Sequence, residues 1–173
     1  MNEILKAIRE RRSIRKYKAE QIKDSELNAV LEAGTWAATG KGQQSPVMVV
    51  VQDAETIAYL SGMNAQIMGN PGADPFYGAP TVVVVLADGE NPNWFADGSL
   101  VMGNLMLAAY SVGLGSCWIN RARELFDMPE GKELLKKWGL DEKYRGVGHC
   151  ILGYADGAAP APKPRKTDYI LRV

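Results

Sequence analysis

The run "TVVVVLA" at residues 81–87 is β-branched or aliphatic at every position and shows no polar alternation. A second run of this kind, "VMVVV", occupies residues 47–51. Strands with this composition are buried on both faces, so helices must cover the sheet above and below. The two runs therefore predict a layered sandwich of helices and sheet, of either the α+β or the α/β class.

Helical spacing of apolar residues predicts the covering helices. Ile4, Leu5 and Ile8 mark a first helix. The stretch "DSELNAVLEAGTWA" (24–37) predicts a second helix, with Asp24 or Ser25 as N-cap. Further along, the predicted elements are a helix from Ile57 to Ile67, an apolar helix at "SLVMGNLMLAAYSV" (99–112), a strand at "SCWIN" (116–120), a short helix at "EGKELLKKW" (130–138) and a strand at "VGHCILGYA" (147–155).

Length, charge and cysteine content limit the class of protein. The 173 residues suit a single domain over 1–173, and 20 basic residues balance 20 acidic ones, which argues against nucleic acid as the main partner. The opening residues "MNEILKAIRE" lack the apolar core of a signal peptide, and there are only two cysteines. We therefore expect a cytoplasmic protein. Residues 98–120 carry no charge, but their glycines indicate a helix buried in a core or subunit interface, not a membrane span.

The C-terminal segment, about residues 157–173, differs from the rest of the chain. It alternates proline with small residues and then ends on an apolar stretch, "YILRV". Such a composition predicts an extended arm without a local core to bury it. We expect this arm to dock on a partner subunit.

Several common kinds of catalytic site are absent from the sequence. The sequence lacks the ligand residues for a zinc site, because His149 is the one histidine and no cysteines stand at ligand spacing. The nucleophile elbow G-x-S-x-G and the phosphate-binding P-loop motif are both missing. The sequence therefore predicts no metal and no hydrolase triad.

Two basic clusters remain as candidate chemistry. "RERRSIRKY" (9–17) stands near the start of the chain and "KPRK" (163–166) near its end. Arginine forks bind phosphate through two parallel hydrogen bonds, and a neighbouring serine hydroxyl adds a further donor. A solvated helix end would explain either cluster alone. Together they predict an anion site that folding assembles from both.

Five segments in this order resemble the nitroreductase family of FMN-dependent oxidoreductases. They are "RRSIRKY" (11–17), "AATGKGQQSP" (37–46), "DPFYGAPTVVVVLAD" (74–88), "GLGSCWI" (113–119) and "KPRK" (163–166). The resemblance covers nearly the whole chain, and it is specific through order and spacing. It implies an α+β sandwich whose central, mainly antiparallel sheet is flanked by helices. It also implies a homodimer with FMN at two interface sites and a C-terminal arm extending to the partner subunit.

The cationic part of the cofactor site follows from this resemblance. By similarity, Arg11, Arg12 and Ser13 would approach the ribityl and phosphate groups of FMN. Lys163 and Arg165 match the family's K-x-R pair near the phosphate.

Other positions would contact the flavin ring. Gln44 retains a glutamine of the family's second motif, and Asn64 falls where the family places an amide near the ring edge. Ser116, Cys117 and Trp118 match the segment that passes over the flavin face, and we interpret Cys117 as structural.

Arg15 is the predicted catalytic residue. The resemblance implies that it faces the pyrimidine edge of the flavin, where a permanently charged guanidinium would raise the reduction potential. The implied activity is two-electron, ping-pong reduction of nitroaromatics, quinones or similar electron-poor small molecules by NADH or NADPH. A ferredoxin donor stays open, as do a flavin-sensing protein with little turnover and a dehalogenase or flavin-fragmenting variant.

Overall fold

A computed structural model describes residues 2–173 of the chain. Six α-helices, a 3-10 turn and four strands follow one another in this part of the chain. The helices are α1 (Glu3–Glu10), α2 (Asp24–Thr35), α3 (Ala54–Ile67), α4 (Trp94–Ser111), α5 (Ala122–Asp127) and α6 (Pro129–Lys137). The strands are β1 (Pro46–Val51), β2 (Thr81–Asp88), β3 (Gly115–Ile119) and β4 (Tyr144–Gly153), and the 3-10 turn covers Gly40–Gly42.

The four strands form one sheet in the order β1-β2-β4-β3, and every neighbouring pair is antiparallel. The predicted α+β class, with an antiparallel sheet flanked by helices, is therefore confirmed. The "TVVVVLA" run forms β2, which lies inside the sheet between β1 and β4. Its residues 81–87 are completely buried, as the absence of polar alternation predicted.

A hydrophobic core lies on each face of the sheet. On one face Val82, Val84 and Leu86 of β2 pack with apolar residues of α3, α5 and α6. On the other face Val83 and Val85 pack with apolar residues of α2 and α4. Because alternate residues of a strand point to opposite faces, one uninterrupted valine run supplies both cores.

Three predicted details were wrong. The N-cap of α2 is Lys23, because its backbone N–H donates to the Glu26 carboxylate at 3.1 Å and Asp24 already lies inside the helix. Helix α4 begins at Trp94, one turn before the uncharged run, and includes the buried Asp97. Helix α5 was not predicted at all. Its six residues are too few for a clear period, and Ala122, Leu125 and Phe126 are buried.

The C-terminal arm contains neither helix nor strand, and the side chains of residues 157–173 are exposed. Its extended character was predicted. In the described part of the chain, no helix combines the length and hydropathy needed to cross a bilayer.

Candidate functional site

The first basic cluster is fixed by backbone contacts on its C-terminal side. Helix α1 ends at Glu10, and the chain then runs in extended form beside the start of β3. The backbone N–H of Ile14 donates to the carbonyl of Ser116 at 2.9 Å, and Ser13 forms an isolated parallel bridge with Ser116. Gly115 permits this approach, because a Cβ there would lie only 3.1 Å from the Ile14 side chain.

The two basic clusters meet at one cavity, which we call the basic pocket. Its volume is about 770 Å³ and it lies between α1 and the C-terminal arm. It is lined by Ile8, Arg9, Arg12, Pro162, Lys163, Arg165, Lys166, Thr167, Tyr169 and Ile170. Five of these residues are cationic and none is acidic. Folding therefore brings Arg12, Lys163 and Arg165 together from opposite ends of the chain.

A smaller cavity, which we call the inner pocket, adjoins the basic pocket through Arg12. Its volume is about 190 Å³, and Arg11, Arg12 and Ser116 are among its lining residues. Arg12 Nη1 donates to the backbone carbonyls of Arg9 and Arg11, at 2.7 and 2.6 Å. Arg11 Nη1 is buried and has no hydrogen-bond partner within residues 2–173. A buried guanidinium nitrogen without a partner is costly, so Arg11 retains a donor for a further acceptor such as an anion.

Arg15 and Gln44 lie outside the basic pocket and the inner pocket. The Arg15 side chain is exposed on the extended segment and lines neither pocket. Gln44 has a left-handed backbone (φ 50°), and its N–H donates to the Thr39 hydroxyl at 3.0 Å. It lines a separate cavity of about 150 Å³ between the end of α2 and β1. One copy of the chain therefore does not bring Arg15 or Gln44 to the basic pocket.

Asn64 lies in the core. Its amide Nδ2 is 3.0 Å from the carbonyl of Asn120, to which it donates, and 3.3 Å from Nδ1 of His149. His149 is fully buried next to Phe76, and Nε2 of its ring has no partner in the described chain. Burial lowers the pKa of His149 to about 4, although the nearby carbonyls of Asn120 and Ile119 favour its charged form. His149 is therefore neutral near pH 7 and belongs to the core.

The segment Ser116, Cys117 and Trp118 forms the middle of β3. Ser116 lines the inner pocket, whereas Cys117 is buried in the core on the α3 side of the sheet. Trp118 packs on the α4 side, where Gly148 makes room for its indole: a Cβ on Gly148 would lie 2.6 Å from Nε1. Of these three residues, Ser116 is the one that lines either of the two pockets described above.

Two of the cationic residues that line the basic pocket were absent from the predicted set, namely Arg9 and Lys166. Both belong to the quoted clusters "RERRSIRKY" and "KPRK", so their charge could have identified them. Thr167 adds a hydroxyl to the lining. No three His, Cys, Asp or Glu side chains in the described chain are placed to hold a metal ion.

This arrangement suits a phosphate monoester attached to a larger group. Arginine and lysine donors surround the basic pocket, and Ile8, Tyr169 and Ile170 add apolar walls. The inner pocket continues from Arg12 toward Ser116, and the Arg11 side chain lines it as well. These are donor types that the phosphate and hydroxyl groups of FMN require, so the residues present fit that cofactor.

Comparison with known proteins gives consistent results. The sequence pattern of the Nitroreductase family matches residues 8–154. A protein of Archaeoglobus fulgidus, provisionally named NADH dehydrogenase/NAD(P)H nitroreductase, is 32% identical, and the alignment covers 98% of this chain and 91% of that protein. A crystal structure of a nitroreductase with bound FMN from Bacteroides fragilis superposes with a TM-score of 0.92 at 30% identity over all of both chains. A nitroreductase with bound FMN from Desulfitobacterium hafniense gives 0.83 at 31% identity, covering 100% of this chain and 99% of that one.

Proposed function

Since the chain belongs to the nitroreductase family, we propose that it is an FMN-dependent oxidoreductase that uses NADH or NADPH to reduce electron-poor small molecules. Nitroaromatics and quinones are the acceptor classes we propose. The two structures with bound FMN and the name of the Archaeoglobus relative support the cofactor and the donor.

One observation carries the proposal: the basic pocket unites Arg12 with Lys163 and Arg165, which lie at opposite ends of the sequence. Five of the residues around this opening are cationic and none is acidic, and a concave site lined by one sign of charge attracts an anion. A phosphate monoester carries nearly two negative charges at pH 7. It is therefore a suitable occupant for the basic pocket.

The residues of this chain would bind and orient the cofactor. Lys163 and Arg165 would hold the phosphate in the basic pocket, and Arg12 would bridge it to the inner pocket, where Arg11 would donate from Nη1. Arg15 would place a permanent positive charge at the pyrimidine edge. FMN, when bound, would supply the redox chemistry, a two-electron exchange between donor and acceptor in a ping-pong cycle.

We also propose that the active form is a homodimer. Helix α1 has no buried residue, and Ile4, Leu5 and Ile8 are all more than half exposed. Trp36 and the apolar end of the arm are exposed as well. Apolar faces of this extent on a small domain favour a partner surface, and a second copy is the commonest one.

Cys117 and Cys150 are free and buried, which favours a reducing, cytoplasmic compartment.

The test combines a visible spectrum, a light-scattering mass and steady-state assays on the purified protein. We expect a yellow dimer that oxidises NADH or NADPH when menadione or nitrofurazone is present, with reduced ferredoxin assayed as an alternative donor. Flavin reduction that no acceptor reverses would instead identify a flavin-sensing protein. A colourless monomer that ignores added FMN would overturn the proposal.

A further inference from the structure

One carboxylate lies inside the cationic site. Glu10 stands between Arg9 and Arg11 in the sequence, and its side chain lines the inner pocket together with Arg11 and Arg12. A carboxylate that lines the same cavity as two guanidiniums can form a bidentate ion pair with one of them. Within residues 2–173 no such pair with Arg11 or Arg12 is formed.

A hydrogen bond from Tyr110 accounts for the absence of such an ion pair. The Tyr110 hydroxyl, on the last turn of α4, donates to Oε2 of Glu10 at 2.8 Å. The hydrogen bond from the phenol to the carboxylate, together with the negative charge of Glu10, raises the pKa of Tyr110, so the phenol keeps its proton and remains the donor. A phenol satisfies the carboxylate without contributing a positive charge. The guanidinium groups therefore keep their capacity to bind another anion.

The rest of α1 does little to fix Glu10. None of the helix residues is buried, so core packing does not determine the direction of the Glu10 side chain. The neighbouring arginines are meanwhile uncommitted to it: Arg12 Nη1 donates to backbone carbonyls, and Arg11 Nη1 has no partner in the described chain. The hydrogen bond from Tyr110 is thus the contact that directs the Glu10 carboxylate.

We propose that Tyr110 is a positioning residue of the anion site, which holds the Glu10 carboxylate and thereby prevents it from neutralising Arg11 and Arg12. The occupant that benefits is the phosphate of FMN, so this inference rests on the proposed function. Without the Tyr110 hydroxyl, Glu10 turns to the guanidiniums and competes with the phosphate. Glu10 is then an internal competitor, and its removal restores binding.

The test is a set of full-length variants titrated with FMN and with riboflavin, which lacks the phosphate. Tyr110→Phe is expected to weaken FMN binding about five- to tenfold, the size of one ordinary solvent-exposed hydrogen bond, and to leave riboflavin binding unchanged. Glu10→Gln binds FMN at least as tightly as the wild type. The double variant recovers wild-type FMN affinity, because no carboxylate remains to compete.

Tyr154→Phe is the matched control. The Tyr154 hydroxyl donates to Glu26 at 2.6 Å, so this variant also loses a bond from tyrosine to glutamate, but at α2 and outside both pockets. Its affinity for FMN should equal that of the wild type.

These measurements distinguish a failure of the proposed function from a failure of the inference about Tyr110. A wild-type protein without affinity for FMN overturns the proposed function and this inference together. A wild-type protein that binds FMN overturns only this inference in either of two cases. In one, Tyr110→Phe behaves as the wild type or weakens FMN and riboflavin equally. In the other, the double variant stays as weak as Tyr110→Phe, which indicates a purely structural hydrogen bond.

Discussion

The carboxylate of Asp97 accepts a hydrogen bond from the backbone N–H of Gly40 at 2.9 Å and so ties the loop before β1 to the first turn of α4. Asp97 is only 3% exposed, and its other oxygen has no partner in the described chain. Gly40 packs against Asn93, whose side chain would lie 2.4 Å from a Cβ at this position. The loop that carries Gln44 is thus held by one buried acceptor.

We predict that Asp97→Ala lowers the free energy of unfolding by about 2 kcal/mol, since the Gly40 N–H loses an acceptor that carries charge. Asp97→Asn keeps a carbonyl oxygen at the same place and should lower the free energy of unfolding by clearly less. Urea denaturation of both variants measures the difference. Equal losses would show that the hydrogen bond to Gly40 is not what Asp97 contributes.

The buried His149 predicts a pH dependence of stability. Its pKa is about 4 in the folded protein and about 6.5 in the unfolded chain, so the unfolded state binds more protons between these values. The free energy of unfolding therefore has its full value above about pH 6.5. It falls as the pH decreases toward 4, with a slope approaching about 1.4 kcal/mol per pH unit.

Urea denaturation between pH 7 and pH 5 tests this slope. Glu26, Asp53, Asp88, Asp127 and Asp156 all have pKa values lowered below the usual carboxyl range, first of all by hydrogen bonds, so they titrate below this window. His149→Gln should flatten the pH dependence. If the variant retains the wild-type slope, His149 is not its origin.

Two glycines in helices should respond in opposite ways to alanine. A Cβ on Gly131 in α6 would lie 2.1 Å from the Leu125 carbonyl oxygen and 2.6 Å from Cα of Phe126, and these backbone atoms cannot move aside. Gly131→Ala should cost about 1–3 kcal/mol through overpacking. Gly62 in α3 has no atom within 4 Å of a new Cβ, so Gly62→Ala should stabilise by up to about 1 kcal/mol. Thermal unfolding that ranked the two variants the other way would contradict the packing of α5 on α6.

Arg165 and Arg15 are predicted to have different roles, one in FMN retention and the other in setting the flavin midpoint potential. Arg165 lines the basic pocket, whereas Arg15 lies outside it on the exposed side of the extended segment. Arg165→Ala should therefore weaken FMN retention more than it changes the flavin midpoint potential. Arg15→Ala should do the reverse, lowering the potential through loss of a permanent charge. Redox titration and equilibrium dialysis measure the two quantities, and equal effects of both variants on both would refute this division.

The sequence predicted most of the fold because its patterns are local. An uninterrupted valine run specifies a strand buried on both faces, and β2 has that position. Helix α5 was missed because tertiary packing creates it. It follows Arg121 in a left-handed conformation (φ 75°), and its buried face rests on β4, where Gly146 leaves no room for a Cβ beside Ala122.

The site was predictable to the extent that charge identifies it. Arg12, Lys163 and Arg165 were expected to converge, and the basic pocket contains all three. The link between Glu10 and Tyr110 spans 100 positions of sequence, and no spacing rule connects them. The position of Gln44 away from the pocket likewise depends on how α2 ends and how β1 pairs, which sequence patterns do not specify.

Binding of the cofactor phosphate by the two basic clusters is tested by the affinities of the full-length protein for FMN and riboflavin, in the wild type and in a Lys163→Gln/Arg165→Gln variant. If the two basic clusters bind the cofactor phosphate, the wild type prefers FMN strongly and the variant loses most of that preference while its affinity for riboflavin stays the same. Equal affinity of the wild type for both flavins, or an unchanged preference in the variant, would contradict it.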